Sequence, residues 1–254
     1  MRLGGLVLLL LLWPGWGWAE PVPPGLTFLG WGRLMADGAG GVRTETGAAV
    51  TLAGVRLIVP PPSWRTARLR LYAAGPPDRW ERQPLYVADA RGRWLQADWL
   101  RQGLTHLDPE PVPDLERLRA AEDAARAARR GVWADTGMDA HGPDQAAAWP
   151  RRYQVIEGRV MGLSLSRGAV ALLLGDVKGH GLSVRIPRRL RRRWPGDPIL
   201  LRGRRIRVRG PVRGGVRAEM DLTASAQLEL LDGAWPTRMG RTHRRAAETD
   251  QESP

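Results

Sequence analysis

Polar and apolar residues alternate along Arg68-Leu69-Arg70-Leu71-Tyr72, the period of a strand with one buried face. Short apolar runs also lie at Val50-Thr51-Leu52, at Gly54-Val55-Arg56-Leu57-Ile58-Val59 and at Leu85-Tyr86-Val87. Pro60-Pro61-Pro62 stops the second run, and a turn around Arg91-Gly92 follows the third. The pattern then changes period. Leu95 to Gln102 reads as a short helix closed by Gly103. Leu115, Leu118, Ala121, Ala125 and Ala128 recur at helical spacing, with Asp114 placed to cap the start, Arg129 and Arg130 in the last turn and Gly131 at the end. Strands therefore precede helices in the first half.

Residues 139–150 are rich in Gly, Pro, Asp and Ala and read as a linker. A second strand-rich block follows, with candidate strands at Val155 to Leu165, Val170 to Leu174, Leu182 to Ile186, Ile206 to Arg209 and Leu228 to Leu231. Five short strands with a basic segment between the third and fourth point to a small barrel of oligonucleotide-binding type. Residues 236–254 are polar without apolar period and are expected to be disordered. The expected fold class is mainly β with α (α+β). It consists of two small five-strand barrels in tandem, one over residues 20–138 carrying helices and one over residues 151–235.

The start of the chain changes the picture of where this happens. Arg2, the apolar run Leu3 to Trp13, the break at Pro14-Gly15 and the small residues of Gly17-Trp18-Ala19 have the order of an export signal. Residues 1–19 are expected to be removed, leaving an exported protein, periplasmic or extracellular, that starts at Glu20. The run is shorter than the roughly 20 residues a spanning helix needs, and no transmembrane helix is expected in the processed chain. The chain has no Cys, which excludes disulfides, thiolate chemistry and a lipidated cysteine anchor.

Charge is uneven. The formal net charge is +13, yet residues 20–150 hold 16 Arg against 16 Asp or Glu. Residues 151–235 hold 18 Arg or Lys against 7 Asp or Glu. A basic second half suits nucleic acid, lipid headgroups or another anionic polymer. Its densest cluster is Arg188-Arg189 and Arg191-Arg192-Arg193, with Arg185 just upstream; these six are the candidate anion-binding residues. The alternative for this segment is a solvated basic helix between two strands. The four His residues, 106, 141, 180 and 243, have no ligand spacing and read as scattered surface positions, so no metal site is expected from them.

Asp78-Arg79-Trp80-Glu81-Arg82-Gln83-Pro84-Leu85-Tyr86-Val87 resembles the D-R-Y-G-R-x-L-A-Y-V stretch of the staphylococcal nuclease-like (thermonuclease) family. Leu100-Arg101-Gln102-Gly103-Leu104 resembles its L-V-R-Q-G-L-A segment, and Leu118 to Ala125 with Gly131-Val132-Trp133 its final helix and terminal G-[ILV]-W. The resemblance implies a five-strand barrel with packed helices and an ancestral calcium-dependent phosphodiester hydrolysis. Behind it, Val155 to Val160 and Leu201 to Gly210 resemble a barrel domain that follows bacterial nuclease-like domains.

The catalytic part of the pattern departs from the family. Asp37-Gly38 matches, but the second Asp of D-G-D-T is Ala39. In the register set by Leu52-Ala53-Gly54-Val55, the phosphate-binding Arg is Thr51, the calcium-binding Asp is Arg56 and the general base is Val59. Only the second catalytic Arg has a counterpart, Arg82. Between Thr46 and Pro77 there is no Asp or Glu at all. Calcium needs oxygen ligands, mainly carboxylates, and a guanidinium about 4 Å from a cation costs about 4 kcal/mol per unit charge near a surface. No cofactor is therefore expected, although the family implies calcium. Three readings remain open. One is an inactive nuclease-like protein that binds an anionic polymer or an envelope partner. The second is a weak phosphodiesterase using Asp37, Asp78, Glu81 or Asp89. The third is a structural or assembly factor of the envelope, served by an exposed apolar patch.

Overall fold

A computed structural model describes residues 20–36, 41–58, 67–109, 112–134, 140–176, 179–192, 194, 196–215 and 217–235. The expected signal peptide, the turn at Asp37 to Ala39, Val59, Arg193 and the expected disordered tail lie outside the described residues. The chain divides into two compact units, Met1–Leu107 with Glu116–Ala125, and Asp108–Leu115 with Arg126–Pro254.

The first unit contains β1 (Thr27–Gly32), β2 (Leu34–Ala36), β3 (Val42–Thr44), β4 (Ala49–Leu52), β5 (Val55–Leu57), β6 (Leu69–Ala73), β7 (Gln83–Ala88), α1 (Leu95–Gln102), β8 (Thr105–Leu107) and most of α2 (Leu115–Ala127). Its sheet runs β1-β6-β7-β4-β3-β2, with β4 and β7 parallel. Only Arg33 separates β1 from β2. The two act as one strand that pairs with β6 along its first half and with β3 along its second, so the sheet closes on itself as a five-strand barrel. β5 pairs with β8 in a separate ribbon. The two expected runs that begin at Val50 and at Gly54 correspond to β4 and β5, with a turn at Ala53-Gly54 between them, where Gly54 takes φ 74.

Both helices are fastened by a buried polar side chain. Gln96 is fully buried; its Oε1 accepts from Val87 N at 3.0 Å and its Nε2 donates to Leu85 O at 2.9 Å. It gives Val87 N of β7 an acceptor beyond the end of β4, and it shares Leu85 O with Ala53 N, which donates to it at 3.0 Å. Glu122 does the same on α2, accepting from Leu107 N at 2.7 Å. Gly103 ends α1 in the left-handed conformation, φ 70, as expected. α2 stops at Ala127, so Arg129 and Arg130 lie beyond it rather than in its last turn; Arg129 itself is left-handed, φ 49.

The second unit contains β9 (Tyr153–Leu165), β10 (Ala169–Gly175), β11 (Gly181–Pro187), α3 (Arg188–Arg191), β12 (Arg205–Arg213), β13 (Ala218–Asp221) and β14 (Leu228–Leu230). Its strand order is β13-β11-β10-β9-β12-β14, and an added β13–β12 pairing closes the ring. Again the third and fifth barrel strands, β11 and β13, are parallel. This is the same circuit as the first unit: first strand to second and fourth, second to third, third parallel to fifth. Both units are oligonucleotide-binding-type barrels, and the fold is mainly β with a few helices.

Two expectations change here. The fifth barrel strand is β13, Ala-Glu-Met-Asp, which has no β-branched residue to mark it; the expected fifth strand, at Leu228, is an addition to the edge of β12. The expected linker is partly structured, because a 3-10 helix at Pro143–Ala148 places Ala146 wholly inside the second core. Along β10 the residues Val170, Leu172 and Leu174 point inward and alternate with half-buried neighbours. They meet Val184, Ile186 and Val208 in one core. At Gly181 an added Cβ would lie 2.4 Å from Leu174 O, so the β10–β11 hairpin closes only with glycine there.

Candidate anion-binding site

In the second unit, β11 delivers the basic segment to one end of the barrel. Arg185 is the last outward-facing Arg of β11, and Pro187 turns the chain into the single helical turn of α3, whose Leu190 is buried while Arg188, Arg189, Arg191 and Arg192 are exposed. The expected basic helix is therefore only four residues long. The β9–β10 turn lies against it: Ala169 pairs with Pro187, and Arg188 N donates to Gly168 O at 2.9 Å. This brings Arg167, exposed at the tip of that turn, to the same end of the barrel. Arg167 is far from the cluster in sequence; only the hairpin register reveals it.

The compensation of these charges is thin. Arg185 faces Asp221 at 3.7 Å, but Asp221 is also held by Arg213 at 2.5 Å. Arg191 faces Asp197 at 3.6 Å. Arg167, Arg188, Arg189 and Arg192 have no ion pair among the described residues. Arg193 lies outside them. Trp194 does not stand beside the cluster as a stacking platform: it is buried and packs edge-on against Trp235 at 5.8 Å. Elsewhere in this barrel several guanidiniums are consumed internally, while others, such as Arg151, Arg152 and Arg202, are exposed. Fully buried Arg209 pairs with Glu229 at 2.8 Å, Arg207 bridges Glu229 and Glu157, and Arg126 also reaches Glu157. Burial pushes the Glu157 carboxyl up, but the hydrogen bond and charge of Arg207, with Arg126 behind them, outweigh it and hold it below its ordinary value.

In the first unit the described positions that the sequence singled out are Thr51, Arg56, Asp78, Glu81, Arg82 and Asp89. Arg82 closes a loop: its Nε donates to Asp78 Oδ2 at 2.8 Å, and Asp78 Oδ1 accepts from the backbone N of Trp80 and Arg82. Arg79 and Arg82 lie over the ring of Trp80, which is 60% exposed. Glu81 occupies the place where the resembled motif has glycine, and takes φ 61. Thr51 is half-buried on β4, and Arg56 lies on β5 opposite His106. Asp89 accepts from Arg91 N and Arg93 N and pairs with the Arg93 side chain at 2.6 Å. Asp78 and Glu81 precede β7 and Asp89 follows it. Six strand residues separate them, about 20 Å at roughly 3.4 Å per residue.

Among the described residues no three His, Asp or Glu side chains form a group able to hold a metal ion. Arg56, at the position matched to a calcium-binding Asp, offers a cationic side chain with no oxygen for calcium. The histidines are not all on the surface: His106 is buried on β8 and His141 stacks on Trp149 at 4.6 Å. No helix among the described residues is long and apolar enough to cross a membrane. No protein-family model matches the chain, and no curated protein is significantly similar to it.

Proposed function

We propose that the protein is a nuclease-like, non-hydrolysing binding protein of the exported space, which holds an anionic polymer at the basic end of its second barrel. The observation that carries this reading is the gathering of Arg167, Arg188, Arg189 and Arg192, without ion pairs among the described residues, beside the lightly paired Arg185 and Arg191. Guanidiniums left facing solvent bind phosphates in exchange for condensed counterions. With Trp194 turned into the core, the site attracts charge density without stacking on bases, which favours phosphate backbone over base identity.

The test is fluorescence anisotropy with single-stranded DNA, duplex DNA and lipopolysaccharide across a salt series. Binding falls with salt, with a logarithmic slope of about −5.4 on duplex and about −4.2 on single strands if the six arginines each displace a counterion. Replacing Arg188, Arg189 and Arg192 by Glu abolishes it. Absence of salt-dependent binding to all three probes defeats the proposal. A nuclease assay with and without calcium accompanies it. No calcium-stimulated cleavage is expected, and cleavage lost in Arg82→Ala would restore the enzymatic reading.

A further inference from the structure

The first barrel carries a surface that the polymer-binding reading leaves unused. Phe28, Leu29, Trp31 and Met35 are 50%, 51%, 42% and 49% exposed, all on the single strand formed by β1 and β2. A strict alternation cannot put Phe28 and Trp31 on one face, because they are three residues apart. The register with β6 shifts between Phe28 and Gly30, and Gly30 takes φ 127. This bulge absorbs Leu29 as an extra residue. Phe28 then lies beside Tyr72, with ring centroids 5.4 Å apart, and Trp31 lies opposite Arg70, whose guanidinium is 5.1 Å from its ring. Leu69 and Leu71, the partners of Gly32 and Gly30, point into the core instead.

Charge borders this apolar line. Arg33 and Arg43 are exposed and have no ion pair among the described residues. Arg43 pairs across the strands with Met35. The carboxylates near it in the chain are Asp37, outside the described residues, and exposed Glu45, whose backbone N donates to Arg33 O. Aromatic and aliphatic side chains flanked by unpaired guanidiniums match the layered chemistry of a lipid surface, apolar below and anionic at the headgroups. A protein partner would need no such flanking of one sign.

We propose that the Phe28–Met35 strand docks the first barrel onto an anionic lipid bilayer, with Phe28, Leu29 and Trp31 entering the interface and Arg33 and Arg43 meeting the headgroups. This goes beyond the polymer site, which lies in the other barrel. The test uses the chain from Glu20, the expected processed form, so that the apolar leader contributes nothing. It is floated with zwitterionic vesicles and with vesicles rich in phosphatidylglycerol, at low and raised salt. The wild type partitions onto the anionic vesicles and retains part of that binding at raised salt. Phe28→Ser with Leu29→Ser and Trp31→Ser reduces partitioning at least about tenfold, while duplex-DNA binding is unchanged.

Replacing Arg188, Arg189 and Arg192 by Glu in the second barrel does the reverse. Because the chain has no Cys, Leu29→Cys carries a single environment-sensitive dye, whose emission shifts to the blue on adding vesicles, while the same dye at exposed Arg202→Cys does not shift. Three results overturn the proposal: no partitioning, partitioning equal in the triple-serine variant, or a dye at position 29 that stays in water. A shift that instead accompanies self-association without lipid also overturns it, and assigns the strand to a second copy of the chain.

Discussion

Glu81 is left-handed in a loop whose Asp78 already anchors Trp80 and Arg82. A residue with a Cβ is strained there by about 1 to 2 kcal/mol, and glycine returns part of that through its freer unfolded chain. Glu81→Gly is therefore expected to raise stability by up to about 1 kcal/mol in urea unfolding. Inside the second barrel the balance is opposite. Arg209 is wholly buried and its charge rests on Glu229. Glu229→Ala leaves that charge uncompensated and is expected to cost about 3 to 5 kcal/mol, measured the same way. The smaller loss expected for Glu229→Met paired with Arg209→Met would show that the pair specifies the barrel more than it stabilises it.

Among the elements, α1 is held by one side chain as much as by its apolar face. Gln96 bonds two backbone groups of β7, Val87 N and Leu85 O, the second shared with Ala53 N. Gln96→Ala leaves Val87 N without that acceptor, at a cost of about 1 to 3 kcal/mol. Amide exchange should report it first at Val87, with β3 and β4 less affected. In the second barrel, Leu172 is fully buried at the centre of β10. Leu172→Ala is expected to cost about 2 to 5 kcal/mol in chemical unfolding. The helices and central strands were legible from periodicity. β1, β2, β3 and β13 were not, because they are short, interrupted by Gly30 or Arg33, or composed of residues without strand preference, and exist through their pairings.

At the scale of the molecule, acid stability follows from its carboxylates. Burial pushes Glu20 up, but the hydrogen bonds and charges of Arg117 and Arg101 prevail and hold it below its ordinary value. Asp78, Asp89, Glu157 and Asp232 are lowered too, whereas burial raises Asp98. A carboxyl lowered in the folded state adds stability above its unfolded pKa and loses it as pH falls through the folded one; Asp98 contributes in the opposite sense, losing stability as pH rises through its raised value. The lowered groups outnumber it, so the melting temperature should fall as pH drops below about 4. Glu20→Gln, which removes the clasp from Glu20 to Arg101 of α1 and Arg117 of α2, should flatten that fall.

The sequence by itself determined the class of the protein. Its periods mark strands and helices, the stretch between Thr46 and Pro77 carries no Asp or Glu, and its Arg excess makes the second half basic. Those are properties of residue type and near neighbours, and they need no fold to be read. Tertiary structure decided which charges are spent and which remain. Arg82, Arg207 and Arg209 look no different in sequence from Arg188 and Arg189, yet pairing at loop and barrel interior neutralises the first three. Strand register likewise brought Arg167 to the α3 cluster and turned Trp31 outward with Phe28. Coulomb interaction and burial depend on separation in space, which the chain fixes only when its strands pair.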